Sequence, residues 1–256
     1  MKNFSILGSN NAAQLFRSRL LAAGFEVGSS TAGGTPEFVG LQSVMLLPRD
    51  IMESEALLFE RENLARSAPD LEVIALAATL SPRYVKALRA RIDRRIDLID
   101  APFSGTVRAG SNDLPSFLLG GSPQALDRLR PVFDALGQAN TTMGIFGTAT
   151  AAKALQDCLT AASSAMARSA FDWAEAQGIE ETRLVGLLET AFGKRMQSAI
   201  SDPAGIVTNT LPGDNAGAIL VKNVEAALDT ALAGVHLNPP KNFHQVLASV
   251  RARLLH

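Results

Sequence analysis

Lys153 is the residue whose type and setting point most directly to chemistry. It stands at the end of Gly147-Thr148-Ala149-Thr150-Ala151-Ala152-Lys153, one turn into a proline-free, alanine- and leucine-rich run that extends to Gly178. Asp157 follows four residues later, and at helical spacing the two side chains can touch. A lysine that faces a cleft can stabilise an oxygen on which negative charge develops, or hand it a proton. A second candidate group is Ser104-Gly105, which closes the run Ile99-Asp100-Ala101-Pro102-Phe103. A hydroxyl followed by a glycine N–H suits a carboxylate or carbonyl oxygen. The same serine could instead satisfy its own turn.

A third group is the turn Gly8-Ser9-Asn10-Asn11-Ala12-Ala13, which follows the short apolar run Phe4-Ser5-Ile6-Leu7. A dinucleotide pyrophosphate needs close backbone approach and the free N–H groups of a helix N-terminus, supplied by G-x-G-x-x-G after a strand. Here Asn10 and Ala13 stand where the second and third glycines would be. Asparagine tolerates positive φ and alanine is an accepted third member, so the turn survives while the phosphate is crowded. An ordinary strand-to-helix turn without ligand explains the same residues. After the second apolar run there is neither the acid of an NAD site nor the arginine of an NADP site; Ser29-Ser30-Thr31 with Gly33-Gly34 offers hydroxyls and N–H groups instead. That tilts the reading to NADP, with a flexible polar loop as the alternative.

The elements that must position these groups read as alternating strands and helices. Phe4 to Leu7 predicts a strand, Ala12 to Ala23 a helix closed by Gly24, and Phe25-Glu26-Val27 a second strand. Ser43 to Leu47 predicts a buried strand that stops at Pro48, followed by a helical segment from Arg49 to Arg66. Glu72 to Ala77 and Ile96 to Ile99 are further strands; between them Ser81-Pro82 supplies an N-cap and N1 proline for a helix from Arg83 to Ile92. Phe117-Leu118-Leu119, the helix Pro123 to Leu136 and the run Thr142 to Phe146 complete an N-terminal α/β domain with a mostly parallel sheet. The stretch from Gly147 to Gly178 predicts one long helix. Its stripe of Leu155, Leu159, Ala162, Met166, Ala170 and Trp173 is expected to be buried, and its stripe of Lys153, Gln156, Asp157, Thr160 and Ser164 to line a cleft. Beyond it, Glu180 to Phe192, Lys194 to Ile200, Ala216 to Ala233 and Phe243 to Leu255 all read as helical.

Composition bounds the class. The chain has 256 residues, 47% of them hydrophobic and 19% charged, with a net charge of −1, which predicts a soluble globular protein with no general attraction to nucleic acid or anionic membrane. The one cysteine, Cys158, cannot form an internal disulfide, so a reducing, cytoplasmic setting is expected. No apolar run reaches a membrane span, and Phe4 to Leu7 is too short for a signal-peptide core. His236, His244 and His256 have no metal-ligand spacing with Cys158, so no metal is expected. The basic clusters read as solvated helix faces.

Asp100-Ala101-Pro102-Phe103-Ser104-Gly105, then Leu119-Gly120-Gly121, then Gly147 through Ala151-Ala152-Lys153, resembles the β-hydroxyacid dehydrogenase family, to which 3-hydroxyisobutyrate dehydrogenase, tartronate semialdehyde reductase and 6-phosphogluconate dehydrogenase belong. Leu46-Leu47-Pro48, Ala78-Thr79-Leu80-Ser81-Pro82 and Leu220-Val221-Lys222-Asn223 fall where that family has its corresponding segments. The resemblance implies a Rossmann-like dinucleotide-binding domain over residues 1–146 and an all-helical substrate and oligomerisation domain over 147–256. It implies a homodimer or higher oligomer with the substrate between domains. It gives Lys153 the part of general acid and base in hydride transfer between NAD(P)H and a small carbonyl compound. Ser104 and Gly105 match the substrate-carboxylate clamp, and Thr79 a residue beside the nicotinamide. Lys222 matches the lysine near cofactor and substrate. Gly8, Ser9, Asn10, Asn11, Ala12, Ser29, Ser30, Thr31, Leu47 and Pro48 fall on the cofactor-binding segments.

The chain departs from that pattern at Ala32, at Thr106, at Asn223 and above all at Asp157, where the family has an asparagine. An ionised Asp157 cannot donate a hydrogen bond and repels a carboxylate, so it is expected to disfavour small hydroxy acids. Two further readings compete. An imine reductase needs no carboxylate clamp, but Lys153 speaks against it. A non-catalytic binding or scaffolding descendant of the fold, with cofactor binding lost, draws on the missing glycines.

Overall fold

The computed structural model describes residues 3–28, 40–105, 114–176 and 178–192. The chain divides into two compact units, Met1–Lys153 and Ala154–His256. The first is built on β1 (Phe4–Leu7), β2 (Val27–Gly28), β3 (Ser43–Leu46), β4 (Val73–Leu76), β5 (Asp97–Asp100), β6 (Phe103–Ser104), β7 (Ser116–Gly120) and β8 (Ala139–Gly144). Between them run α1 (Asn11–Ala22), α2 (Ile51–Leu58), α3 (Leu64–Ser67), α4 (Pro82–Arg91) and α5 (Pro123–Leu136). The strand order is β2-β1-β3-β4-β5-β7-β6, with β8 paired to β7. The pairings from β2 through β5 are parallel, and β7 runs antiparallel to β5 and β6. This is the mostly parallel α/β sheet expected from the alternation of apolar runs.

Strands β1, β3 and β4 are buried on both faces, as continuous apolar runs in a covered parallel sheet must be. One core layer gathers Leu7, Leu46, Leu76 and Leu98 from the sheet with Leu57, Leu58 and Leu64 of α2 and α3 and Val85 and Leu88 of α4. Side-chain alternation sends Ile6, Met45 and Ile99 to the other face. That side also carries an aromatic cluster: Phe16 of α1 lies 5.2 Å edge-on from Phe103 and 5.7 Å from Phe117, and Phe117 lies 5.3 Å from Phe133 of α5.

Several boundaries differ from the sequence expectation, each for a tertiary reason. The segment expected to be helical from Arg49 to Arg66 is two helices, because the chain leaves α2 at Phe59 and Asn63 takes up the left-handed conformation (φ 46°, ψ 39°) before α3. Phe59 packs on the leucine layer under the Arg91 guanidinium, 4.1 Å above its ring, which anchors the break. The second strand is shifted to Val27–Gly28, where the Arg17 guanidinium donates to the carbonyls of both Gly28 and Ile6. The run expected over Thr142 to Phe146 is displaced to β8, which pairs with β7 from Ala139 onward; Gly144 turns with φ +128° and leaves Ile145 76% exposed.

Helix α6 (Thr148–Ala176) is continuous across the end of the first unit. In the second unit the described residues comprise the rest of α6 and α7 (Glu181–Phe192). The helices expected after Phe192 lie outside the described residues. The buried face of α6 is not the expected one. Leu155 and Leu159 are 62% and 68% exposed, whereas Ala149, Thr150, Lys153, Ala154, Asp157, Cys158 and Ala161 are buried. These recur at three- and four-residue steps, so the helix packs by its small residues, which allow close backbone approach, with Lys153 and Asp157 on the same face. The side chains of Met166, Ala170 and Trp173 lie outside the described residues.

Candidate functional site

Register places Leu7, Leu46, Leu76 and Asp100 side by side at the carboxyl ends of four parallel strands. The residues that follow them are Gly8, Leu47-Pro48, Ala77 with Thr79 two positions on, and Ala101-Pro102. The order of sheet formation reverses between β1 and β3, and open α/β sheets bind ligands in the crevice at such a point. Six sequence-selected residues, Gly8, Ser9, Leu47, Pro48, Thr79 and Ser104, therefore lie at this edge.

At the reversal the two chains nearly touch. The Leu47 N–H donates to the Leu7 carbonyl at 2.8 Å. Gly8 has φ +151°, and a Cβ there would sit 2.5 Å from the Leu47 carbonyl oxygen, so this turn requires glycine. Asn10 stands where a second fingerprint glycine would be and acts as the N-cap of α1: its Oδ1 accepts the Ala13 N–H at 2.9 Å, and its Nδ2 donates to the Leu47 carbonyl at 2.8 Å. Its φ is −83°, so the turn here does not use a positive φ. The lost glycine is replaced by a side chain that clamps the turn to β3. Asn11 is exposed and Ala12 buried at the start of α1.

Ser9 is held from α2. Its hydroxyl and N–H donate to Glu53 Oε1 at 2.7 and 3.2 Å, while the Arg49 N–H and Nε donate to Glu53 Oε2 at 2.8 and 3.1 Å. Burial pushes the Glu53 carboxyl up, but these four donors outweigh it and hold the group below the usual carboxylate range. Two N–H groups, a hydroxyl and a guanidinium at one point form a donor set that suits a phosphate, and with the glycine-only turn beside them the residues fit a dinucleotide. Neither Glu53 nor Arg49 was selected from sequence. The local signal marks only the helix start: Asp50 caps α2 by accepting the Glu53 N–H at 2.8 Å, and the pairing of Glu53 with Ser9 comes from the register of the sheet.

The second half of the edge is organised by Asp100, which is fully buried. Its carboxylate accepts the N–H of Gly147 at 2.7 Å and of Thr150 at 2.6 Å, capping the first turn of α6 from the end of β5. Burial pushes its carboxyl up, and the two N–H groups offset this only in part. Glycines make the approach possible: a Cβ on Gly120 would collide with Asp100 Oδ1 and lie 2.9 Å from the Ile145 carbonyl, and one on Gly121 would lie 3.1 Å from Ile99 Cγ1. Gly147 turns with φ +92° beneath the Lys86 stem. Thus Leu119-Gly120-Gly121, Asp100 and Gly147 are parts of one junction. Lys153 lies one turn beyond Thr150, 9% exposed, and Ser104-Gly105 lies four residues beyond Asp100. Gly105 has φ +113°, a conformation that suits glycine.

Asp157 is buried on α6, next to Cys158, whose thiol is pushed up by burial and then by the Asp157 charge. Such a thiol is a poor nucleophile. Ser29, Ser30, Thr31, Thr106 and Lys222 lie outside the described residues. Among the described residues no group of three or more histidine, cysteine, aspartate or glutamate side chains could hold a metal ion, and no helix is long and apolar enough to cross a membrane.

A parallel sheet with a glycine-only turn at its point of reversal is the α/β arrangement at which dinucleotide-binding folds take their ligand. Comparison with known proteins makes this specific. The NAD binding domain of 6-phosphogluconate dehydrogenase matches residues 2–147, and the chain belongs to that family. It is 27% identical over 164 residues to the mitochondrial 3-hydroxyisobutyrate dehydrogenase of Drosophila melanogaster, an alignment covering 61% of this chain and 51% of that protein. The chain thus spans about half the length of that relative. It is 23% identical over 264 residues to the NAD-dependent L-serine dehydrogenase of Pseudomonas aeruginosa, covering 93% of this chain and 88% of that one. In fold it resembles the 3-hydroxyisobutyrate dehydrogenase of Mycobacterium tuberculosis, solved with L-serine, at a TM-score of 0.79 and 18% identity over 100% of this chain and 93% of that one.

Proposed function

We propose that the protein is an NAD(P)-dependent oxidoreductase of the β-hydroxyacid dehydrogenase type, which interconverts a small hydroxy compound and its carbonyl. The observation that carries this reading is the junction at Asp100: it fixes the start of α6, one turn before the buried Lys153, to the strand end that leads into Ser104-Gly105. Bound NAD(P)H supplies the hydride. Lys153 gives a proton to the carbonyl oxygen as it becomes an alkoxide, and takes it back in the oxidation. The Ser104 hydroxyl and the Gly105 N–H hold a carboxylate or carbonyl oxygen of the substrate. Gly8 to Ala12, Leu47-Pro48, Thr79, Ser29, Ser30, Thr31 and Lys222 are the residues that would hold the cofactor, and the hydroxyls of Ser29, Ser30 and Thr31 would favour NADP.

Asp157 narrows the substrate. An ionised Asp157 turned toward the substrate would repel a carboxylate, so small hydroxy acids are disfavoured in that state. The runner-up reading, a non-catalytic descendant of the fold, draws on one observation, the Glu53 carboxylate at the Ser9 donors. Titration with NADPH and NADH, followed by nicotinamide fluorescence and melting temperature, separates the two. A cofactor at a hundredfold its Kd stabilises by about 2.7 kcal/mol, whereas a chain that has lost the site shows no shift with either.

A further inference from the structure

We propose that Glu53 is an internal anion lodged on the phosphate-binding donors of the dinucleotide turn, so that the cofactor binds only when this carboxylate leaves Ser9, and Glu53 thereby sets cofactor affinity. The inference rests on the oxidoreductase reading above and concerns a residue that the reading does not use.

Ser9 stands just past the end of β1, at the point where the sheet reverses. It follows the glycine whose missing Cβ lets β1 and β3 close to contact, and its N–H is the first donor past that glycine at the reversal of the sheet. In a dinucleotide turn the N–H groups at this place meet the pyrophosphate. Here the N–H and hydroxyl of Ser9 both end on Glu53 Oε1. The carboxylate is not there by surface accident. Asp50 caps α2 through the Glu53 N–H and so fixes Glu53 in the first turn of that helix, next to the loop Leu47-Pro48-Arg49. Its second oxygen is engaged by the Arg49 N–H and guanidinium, and its side chain is 10% exposed where that of Arg49 is 67% exposed.

A carboxylate and a phosphate compete for such donors directly, since both are oxyanions that accept charge-assisted hydrogen bonds. They also repel across the few ångströms that separate adjacent groups. The pyrophosphate therefore meets a filled donor set, and binding requires the Glu53 side chain to rotate off Ser9. Rotation returns both Ser9 donors to the incoming anion. The replacement of the second glycine by Asn10 fits the same picture. Asn10 clamps the turn to Leu47 in a closed form that needs no ligand, with Glu53 completing the closure.

The test is a cofactor titration of the full chain as wild type, Glu53→Gln and Glu53→Ala, with NADPH and NADH as probes. Dissociation constants come from nicotinamide fluorescence, and melting temperatures of the unliganded proteins report folding. The expected result is that both variants bind on the order of tenfold tighter than wild type, since they lose the competing charge. If wild type binds and the variants bind equally or more weakly, the inference fails while the oxidoreductase reading stands. If none of the three binds either cofactor, both fail. A measurement on the wild type alone needs no variant to fold: the side-chain carboxyl carbon resonance of Glu53 must shift when NADPH is added. A resonance unmoved at saturation overturns the inference.

Discussion

The carboxylate of Asp100 accepts the backbone N–H of Thr150 at 2.6 Å, so the end of β5 and the first turn of α6 form one hydrogen-bonded unit. The other carboxylate oxygen takes the Gly147 N–H. An asparagine has one acceptor oxygen where two are needed, and its amide N–H groups would face a helix N-terminus. Asp100→Asn should therefore destabilise the protein by about 1–3 kcal/mol in denaturant unfolding. Because Lys153 follows one turn later, the variant should also lose kcat more than KM. A loss of stability with kcat intact would show that the junction is structural only.

Gly8→Ala tests the contact at the sheet reversal. The added methyl would lie 2.5 Å from the Leu47 carbonyl and force a backbone with φ +151° on an alanine. Overpacking of this kind costs about 1–3 kcal/mol, and the shift should weaken cofactor binding in the same titration. Wild-type stability and affinity in this variant would mean that β1 and β3 do not close as described.

Glu53 and Asp100 give opposite acid responses. The Glu53 carboxyl is held below its ordinary 4.5, so the stability from its network is fully present above that value and is lost as pH falls through the lower folded value. The Asp100 carboxyl is raised above 3.8, so its burial costs stability progressively as pH rises from 3.8 through the higher folded value. Melting temperatures of wild type and Glu53→Gln followed from neutrality to below the lowered Glu53 value should converge in acid, because only the wild type loses the stability of the Glu53 network. A constant gap across the range would contradict the assignment.

Asp157→Asn restores a hydrogen-bond donor and removes a negative charge four residues from Lys153. The expected outcome is a gain in kcat/KM of about tenfold or more on carboxylate-bearing substrates, with little change on neutral carbonyl compounds. No gain on any β-hydroxyacid would remove Asp157 from substrate selection.

How much of this was legible in the sequence follows from whether the cause is local. Helix α5 has the predicted bounds, Pro123 to Leu136, because Ser122 caps it, Pro123 starts it and Gly137 ends it, all within a few residues. The strand cores were legible for the same reason: each is a continuous apolar run. The break at Phe59 was not, since it depends on Arg91, far along the chain. The face of α6 was misread because large leucines were weighed above alanines, yet Ala149, Ala154 and Ala161 are the buried residues and Leu155 and Leu159 the exposed ones. Gly8, Ser104-Gly105 and Lys153 are candidates by type and spacing alone. What holds them could not be picked out that way. Glu53 meets Ser9 across 44 positions and Asp100 meets Gly147 across 47, contacts that only the register of the sheet brings about.

Lys153 is proposed to move the proton in a hydride-transfer reaction. The most direct test is the steady-state oxidation of NADPH with a panel of semialdehydes, oxo acids and neutral carbonyl compounds, comparing wild type with Lys153→Ala while measuring cofactor affinity in parallel. The account predicts an unchanged cofactor Kd and a kcat lower by about a hundredfold to ten-thousandfold in the variant. Equal turnover by wild type and Lys153→Ala on the substrate that wild type reduces would contradict it.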